Sequence, residues 1–122
     1  MENDKIYVTP RCPIRTTLEL VGGKWKLLIL HQLHSRTLRL SELKAIIPEI
    51  SEKMLIQELK ILVDSGLVHR KNYGEVPPKV EYSLTAKGEL VQPLIAEMKN
   101  FAHLYEGRSE ELSQLPSQRS DK

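Results

Sequence analysis

Polar side chains recur along one side of the segment SEKMLIQELK, residues 51–60. At about 100° per residue, Lys53, Gln57 and Lys60 cluster on one face of a helix, and leucines occupy the opposite face. Lysine and glutamine donate hydrogen bonds of the kind that guanine and adenine edges accept in the major groove of DNA. Ser51, at the start of this helix, is placed to contact a phosphate. An ordinary solvent-exposed face would give the same pattern, so the choice between a DNA-reading face and a solvent-exposed one depends on the neighbouring elements.

Those neighbours predict a two-helix unit. Ser41 is expected to cap a helix that ends before Pro48, because the residue preceding a proline disfavours helical geometry. After a tight turn, Ser51 caps the longer helix, which Gly66 closes with a left-handed C-cap. Two alternating strands then follow, joined by a loop that Pro77 and Pro78 stiffen; they are expected at residues 67–73 and 79–84. The pattern predicts a helix-turn-helix followed by a β-hairpin wing.

Helices are also predicted on both sides of this unit. Two precede it, at residues 13–21 and 24–34, and one follows from Thr85. In the last helix, apolar residues recur at spacings of three and four, typical of a helix that packs along another; these candidate dimer-interface residues are Val91, Leu94, Met98, Phe101 and Tyr105. The predicted fold is α+β, mainly α: a winged helix-turn-helix domain at residues 13–106 with terminal dimerisation helices, an N-terminal arm at 1–12 and a flexible tail at 107–122.

Basic side chains near the two-helix unit are candidates for DNA backbone contacts. Arg70, Lys71 and Lys79 in the wing would gain from the phosphate field irrespective of base sequence. Arg36 and Arg39, with Ser41, are further candidates just before the first helix of the unit. A charged hairpin that merely keeps a sheet edge soluble is the alternative.

Composition sets the limits for this interpretation. The chain has 122 residues, 28% of them charged and 40% hydrophobic, with a net charge of +2 and one cysteine. This favours a single folded domain and permits nucleic-acid binding without requiring it. The polar N-terminus and the lack of a long apolar stretch predict a cytoplasmic protein without membrane contact. No enzyme signature is present, so neither an enzyme nor a cofactor is expected.

Three motifs of the chain resemble the HxlR-type winged helix-turn-helix regulators of bacteria. They are CPIRTTLELVGGKWKLLIL from Cys12, LRLSELKAIIPEISEKMLIQELKILVDSGLVHR from Leu38, and YGEVPPKVEYSLTAKG from Tyr73. Leu40 departs from the family pattern, where phenylalanine is expected. The resemblance implies a homodimer whose terminal helices pair and whose recognition helices enter successive major grooves. It also implies that the wing clamps the DNA backbone and that the bases are read by Ser51, Lys53, Met54 and Gln57. The helical wheel adds Lys60 to this base-reading group.

Cys12 is a candidate redox site. It stands directly before Pro13, where the positive end of a helix and the neighbouring Arg11 and Arg15 favour a thiolate. The family resemblance strengthens this idea, because some members use a thiol near this position to sense oxidants or small electrophiles. A packing role is the alternative. With one cysteine, a disulfide must join two subunits or a small thiol.

His31 and His34 have a spacing that can form half of a metal site. No carboxylate or cysteine nearby in the sequence completes it, and structural histidines are favoured. Two functions remain. The first is a regulator that binds double-stranded DNA at a pseudo-palindromic operator, and the second is a winged-helix module that binds protein partners without touching DNA. The second requires a contiguous apolar surface patch.

Overall fold

A computed structural model describes residues 11–113, with side chains through residue 107. The chain divides into two units, one ending at Val91 and the other beginning at Gln92. The first unit contains five helices and one hairpin among the described residues: α1 (Pro13–Val21), α2 (Lys26–Gln32), α3 (Leu40–Ile46), α4 (Glu52–Asp64), β1 (Val68–Asn72), β2 (Val80–Leu84) and α5 (Ala86–Glu89). None of the helices within residues 11–113 combines the length and apolar character that a membrane span requires.

The core of the first unit is built from one side of each central helix. On α2 the residues Ile29 and Leu30 are fully buried, whereas Leu28 is 46% exposed. Leu28 therefore lies outside the core. Helix α2 is also shorter than the predicted 24–34 segment, because Trp25 serves as its N-cap and Leu33 as its C-cap. Further fully buried side chains come from α3, α4, their connecting turn and β1; they are Leu43, Ile50, Leu55, Leu59, Leu62 and Val68.

Helix α4 and the hairpin form as predicted. Gly66 follows α4 with φ of +83°, a left-handed conformation that glycine adopts at no steric cost. Its N–H donates to the Val63 carbonyl, and the Leu67 N–H donates to the Leu62 carbonyl, both at 3.0 Å. The chain then turns directly into β1, which pairs antiparallel with β2. Leu38 pairs with Tyr82 on the other edge of β2 through two backbone hydrogen bonds of 2.8 and 3.0 Å.

The C-terminal helix differs from its prediction at both ends. Thr85 caps α5, where its hydroxyl accepts a hydrogen bond from the Gly88 N–H. The helix stops at Glu89, and α6 (Gln92–Ser113) forms separately. Pro93 explains the break, because a proline ring inside a continuous helix clashes with the carbonyl four residues earlier. Helix α6 then continues past Gly107 to Ser113, so residues 107–113 are helical rather than part of a tail. The rest of that tail and most of the N-terminal arm lie outside the described residues.

Glycine is required at position 88 by close packing. A Cβ atom there would collide with the Leu67 carbonyl and press on the Leu84 side chain. Helix α5 can therefore lie directly on the chain segment that links α4 to β1. His34, just after α2, also faces this helix, with its Nδ1 3.3 Å from the Glu89 carboxylate. The first unit thus has a three-helix core from α2 to α4 and a hairpin held at its base, which is the winged helix-turn-helix fold that the sequence predicted.

Candidate nucleic-acid interface

The position of α4 is fixed at its start and along its inner face. The Ser51 hydroxyl accepts a hydrogen bond of 3.1 Å from the Met54 N–H, which satisfies an otherwise unpaired donor at the helix start. Leu55, Leu59 and Leu62 are each at most 1% exposed, so the predicted inner face is confirmed. Glu58 lies on the same helix and pairs with Lys26 of α2. These contacts set which side chains of α4 point outward.

The outer face of α4, defined as Lys53, Gln57 and Lys60, is exposed as the helical wheel predicted. Among the described residues, Lys53 and Gln57 have no hydrogen-bond or ion-pair partner, so their donors are available to another molecule. Lys60 differs, because its Nζ lies 3.1 Å from an Asp64 carboxylate oxygen. Met54 is half-buried beside them. The face offers hydrogen-bond donors on a helix whose opposite side is anchored.

The residues that precede α3 are arranged differently from the prediction. Ser41 was expected to cap this helix, but α3 begins at Leu40 and Arg39 is its N-cap. The Arg39 N–H donates to the Glu42 carboxylate at 2.7 Å, which stabilises the helix start without the serine. Arg36 donates to the backbone and side-chain oxygens of Gln32, at 2.9 and 2.6 Å. Arg39 and Ser41 are exposed candidates for backbone contact, whereas Arg36 already closes the end of α2.

The hairpin carries a cation cluster that sequence reasoning only partly identified. Lys71 and Lys79 place their ammonium groups 4.8 and 4.5 Å from the centre of the Tyr73 ring. Both cations are attracted to the ring electrons, which reduces their freedom. The Tyr73 hydroxyl donates to Glu81 at 2.6 Å, and this hydrogen bond raises the pKa of Tyr73 above its ordinary value. Tyr73 was missed at the sequence level, although an aromatic residue between two lysines of a hairpin was the available signal.

Arg70 lies on the other side of β1, opposite Tyr82 in the strand register. Its side chain is exposed and has no hydrogen bond or ion pair with any described residue. The predicted wing cations therefore fall into two groups. Lys71 and Lys79 lie over the Tyr73 ring. Arg70 lies beside α4, and residues of α4 line the same groove as Arg70.

Cys12 is the N-cap of α1, as its position before Pro13 predicted. Its carbonyl accepts a hydrogen bond from the Thr16 N–H at 2.9 Å, and only 5% of the residue is exposed. The flanking Arg11 and Arg15 are exposed. The thiol is thus at the predicted helix terminus, in a buried residue.

The α6 strip, defined as Leu94, Met98, Phe101 and Tyr105, becomes more exposed along the helix. Leu94 is half-buried, and the other three are between 47% and 68% exposed. The Phe101 and Tyr105 rings stack with centres 6.1 Å apart. Leu104, which the spacing argument left out, is also exposed. The predicted interface residue Val91 lies before α6 and is buried, so it is not available as proposed.

The histidines do not assemble a metal site within the described part of the chain. Among the side chains that the structure describes, residues 11–107, no group of three or more histidine, cysteine, aspartate or glutamate residues is placed to hold a metal ion. His34 faces Glu89 instead, and His31 is partly buried.

Comparison with known proteins identifies relatives over most of the chain. The family model described as HxlR-like helix-turn-helix matches residues 20–110. The uncharacterized HTH-type transcriptional regulator YkvN of Bacillus subtilis (strain 168) is 51% identical over 94 residues, which are 77% of this chain and 80% of YkvN. YdeP of the same organism, also described as an HTH-type transcriptional regulator, is 42% identical over 101 residues, 83% of this chain and 79% of its own. These relatives are transcriptional regulators rather than enzymes.

Two solved structures extend the comparison to the fold. A MarR-family transcriptional regulator from Porphyromonas gingivalis W83 has a TM-score of 0.77 and 49% identity, covering 81% of this chain and 97% of its own. The redox regulator HypR in its reduced form has a TM-score of 0.75 and 37% identity, covering 81% and 98%. Both similarities span the helix-turn-helix and the hairpin in a chain of similar length.

Proposed function

The chain belongs to the HxlR-like helix-turn-helix family of transcriptional regulators, and we propose that it binds a pseudo-palindromic DNA operator as a homodimer. Helix α4 enters the major groove, with Lys53 and Gln57 toward base edges. The observation that carries this proposal is the contrast between the two sides of α4. Its leucines and Glu58 are held by the core, while Lys53 and Gln57 are exposed and without partners among the described residues.

Ser51, Met54 and Lys60 complete the proposed base-reading group. The Ser51 oxygen accepts the capping hydrogen bond, so its hydroxyl hydrogen can still be donated to a phosphate or a base. The exposed part of Met54 supplies an apolar contact for a thymine methyl group. Lys60 must exchange its ion pair with Asp64 for a DNA contact, and the exposure of this pair makes that exchange inexpensive.

The DNA backbone is proposed to be held by the wing and by the start of α3. Lys71 and Lys79 present two ammonium groups from one aromatic platform, and Arg70 presents a guanidinium beside α4. Arg39 and Ser41 provide further contacts at the start of α3, and Arg36 does so only if it releases Gln32. Phosphate contacts of this kind fix the register of the protein on the duplex, while base contacts specify the sequence.

The dimer is proposed to form through the α6 strip. Phe101 and Tyr105 are 68% and 64% exposed, although aromatic side chains of this size normally bury their surface. Helix α1 also exposes an apolar pair, Ile14 and Leu18, on one face. A second copy packed on such surfaces would cover them, and a dimer brings two copies of α4 to one duplex. Without a second copy they would also suit a protein partner, which keeps the interaction-module function as the alternative.

Redox sensing through Cys12 is the second part of the proposal. Support comes from the position of the thiol at the start of α1 and from the similarity to a protein described as a redox regulator. Two-electron oxidation by a peroxide gives a sulfenic acid, which a small thiol or the second subunit's thiol converts to a disulfide with loss of water. Because Cys12 is buried, such a bulky product would displace the start of α1.

The test is a titration of the purified protein against the intergenic DNA upstream of its own gene and against unrelated DNA of equal length. It is repeated after mild oxidation and with the Cys12→Ser variant. We expect preference for the upstream DNA and a change on oxidation that the variant lacks. If oxidation leaves the preference for the upstream DNA unchanged, the redox role of Cys12 is rejected and the DNA-binding role is retained. Equal binding of both DNAs would favour the interaction module instead.

A further inference from the structure

A groove of about 530 Å³ lies between α4 and the hairpin. This volume falls within the range of roughly 300–1,000 Å³ that is usual for small-molecule sites. Such sites are lined mainly by apolar side chains with a few polar groups that orient the ligand. The groove matches that description, because most of its lining side chains are apolar. These apolar residues come from α3, α4 and β2; they are Leu40, Ile56, Val63, Val80 and Tyr82.

The charged side chains of the groove are not balanced. Lys60, Asp64 and Arg70 also line it. Lys60 and Asp64 pair with each other at 3.1 Å, which leaves the guanidinium of Arg70 without a counter-charge among the described residues. The groove therefore has an apolar body and one uncompensated cation at its edge. A neutral apolar ligand would leave Arg70 unused, and a dianion would exceed the available charge.

We infer that this groove binds a small aromatic carboxylate, whose ring contacts the apolar walls and whose carboxylate pairs with Arg70. A guanidinium matches a carboxylate through two parallel hydrogen bonds, which gives direction as well as affinity. Tyr82 contributes an aromatic wall on which a flat ring can pack. The regulatory consequence rests on the proposed function: Arg70 and Lys60 also belong to the DNA-binding face, so the bound carboxylate competes with a DNA phosphate.

Binding is tested without DNA, by calorimetric titration of the full-length protein with 2-naphthoate. The control ligand is 2-naphthamide, which has the same ring system and no charge. We expect the carboxylate to bind about tenfold more tightly or better, since charge-assisted hydrogen bonds are roughly twice as strong as neutral ones. Arg70→Met should remove this preference. The matched control is Lys71→Met, which loses the same charge from the next residue of β1 but lies over Tyr73 and does not line the groove.

A second readout locates the ligand. Amide chemical shifts should change mainly at the groove residues, and Val63→Phe, which narrows the groove, should weaken both ligands. Equal affinity for acid and amide, unchanged naphthoate binding in Arg70→Met, or shift changes away from α4 and β2 would each overturn the inference. The proposed function is judged separately by DNA binding without ligand, so failure of one leaves the other measurable.

Discussion

Lys26 Nζ on α2 lies 2.9 Å from Glu58 Oε1 on α4, and only 15% and 14% of these two side chains are exposed. The pair joins the central helix of the core to the inner side of the proposed recognition helix. Because it is largely withdrawn from water, each charge depends on the other for compensation. Together with the buried leucines of α4, the pair holds the inner side of this helix against the core, and Lys53 and Gln57 lie on the outer side.

Removing one partner of this pair should lower the stability of the fold, whereas removing both should lower it much less. We expect Lys26→Met to lower the free energy of unfolding by about 2 kcal/mol, because Glu58 is left as an uncompensated charge. The double variant Lys26→Met/Glu58→Leu should recover most of that loss. Urea unfolding measures both. The control is Lys60→Met, which breaks the exposed pair with Asp64 and should lower the free energy of unfolding by less than about 0.5 kcal/mol. If the stability losses of the two single variants simply add in Lys26→Met/Glu58→Leu, the two charges do not depend on each other.

Base reading by Gln57 gives a second prediction. Gln57→Ala should reduce the discrimination between the preferred base and its alternatives by about 1–3 kcal/mol, since a paired contact to one base is lost. The fold should be unaffected, because the side chain is exposed and has no partner among the described residues. Competition binding with single-base operator variants measures the effect. Asn100→Ala on α6 is the control, and an unchanged base preference would remove Gln57 from the reading group.

The wing cations should control the dependence of DNA binding on salt. Each phosphate contact contributes about 0.9 to the slope of log affinity against log salt concentration. Because the proposed dimer carries two copies of Lys71, Lys71→Met should lower the slope by about twice that amount and weaken specific and unrelated DNA alike. Tyr73→Leu removes the aromatic platform but keeps both charges, so it should weaken binding without changing the slope. A slope that Lys71→Met leaves intact would place this lysine away from the DNA.

The α6 strip predicts the effect of a charge on assembly. Met98→Glu should convert the dimer to a monomer in light scattering and weaken operator binding, because two half-sites are no longer held by one particle. Asn100→Glu adds the same charge at a position about 130° or more away from the centre of the strip, at about 100° per residue, and should leave the dimer intact. If Met98→Glu stays dimeric, the interface lies on another surface, with the apolar face of α1 as the first candidate.

The sequence was sufficient where one local rule determined the structure. Ser51 and Gly66 mark the ends of α4 because a capping hydroxyl and a left-handed residue each have a specific local role. The heptad-like leucine spacing identified the inner face for the same reason. The prediction that Ser41 caps α3 was wrong, because the Glu42 carboxylate accepts a hydrogen bond from the Arg39 N–H at the helix start. A helix start of this kind needs no serine.

Contacts between segments that are distant in the sequence could not be predicted from local sequence rules. The Lys26–Glu58 pair and the bridge between Leu38 and Tyr82 join residues far apart in the chain, and no local pattern predicts which of many charges or strands will meet. The groove beside α4 has the same origin, since its lining residues, Arg70 included, come from α3, α4, β1 and β2. The break before α6 was predictable from Pro93, but the regular apolar spacing across it favoured one continuous helix.

Two copies of α4 are proposed to read one symmetric DNA site, and selection of bound sequences from a random duplex pool is the test of this arrangement. We expect enrichment of two inverted half-sites whose centres are about one or two helical turns apart, because the recognition helices of a dimer enter successive major grooves. The Gln57→Ala protein should enrich the same spacing with relaxed base preference. Recovery of a pool without any shared motif, or of isolated single half-sites, would contradict it.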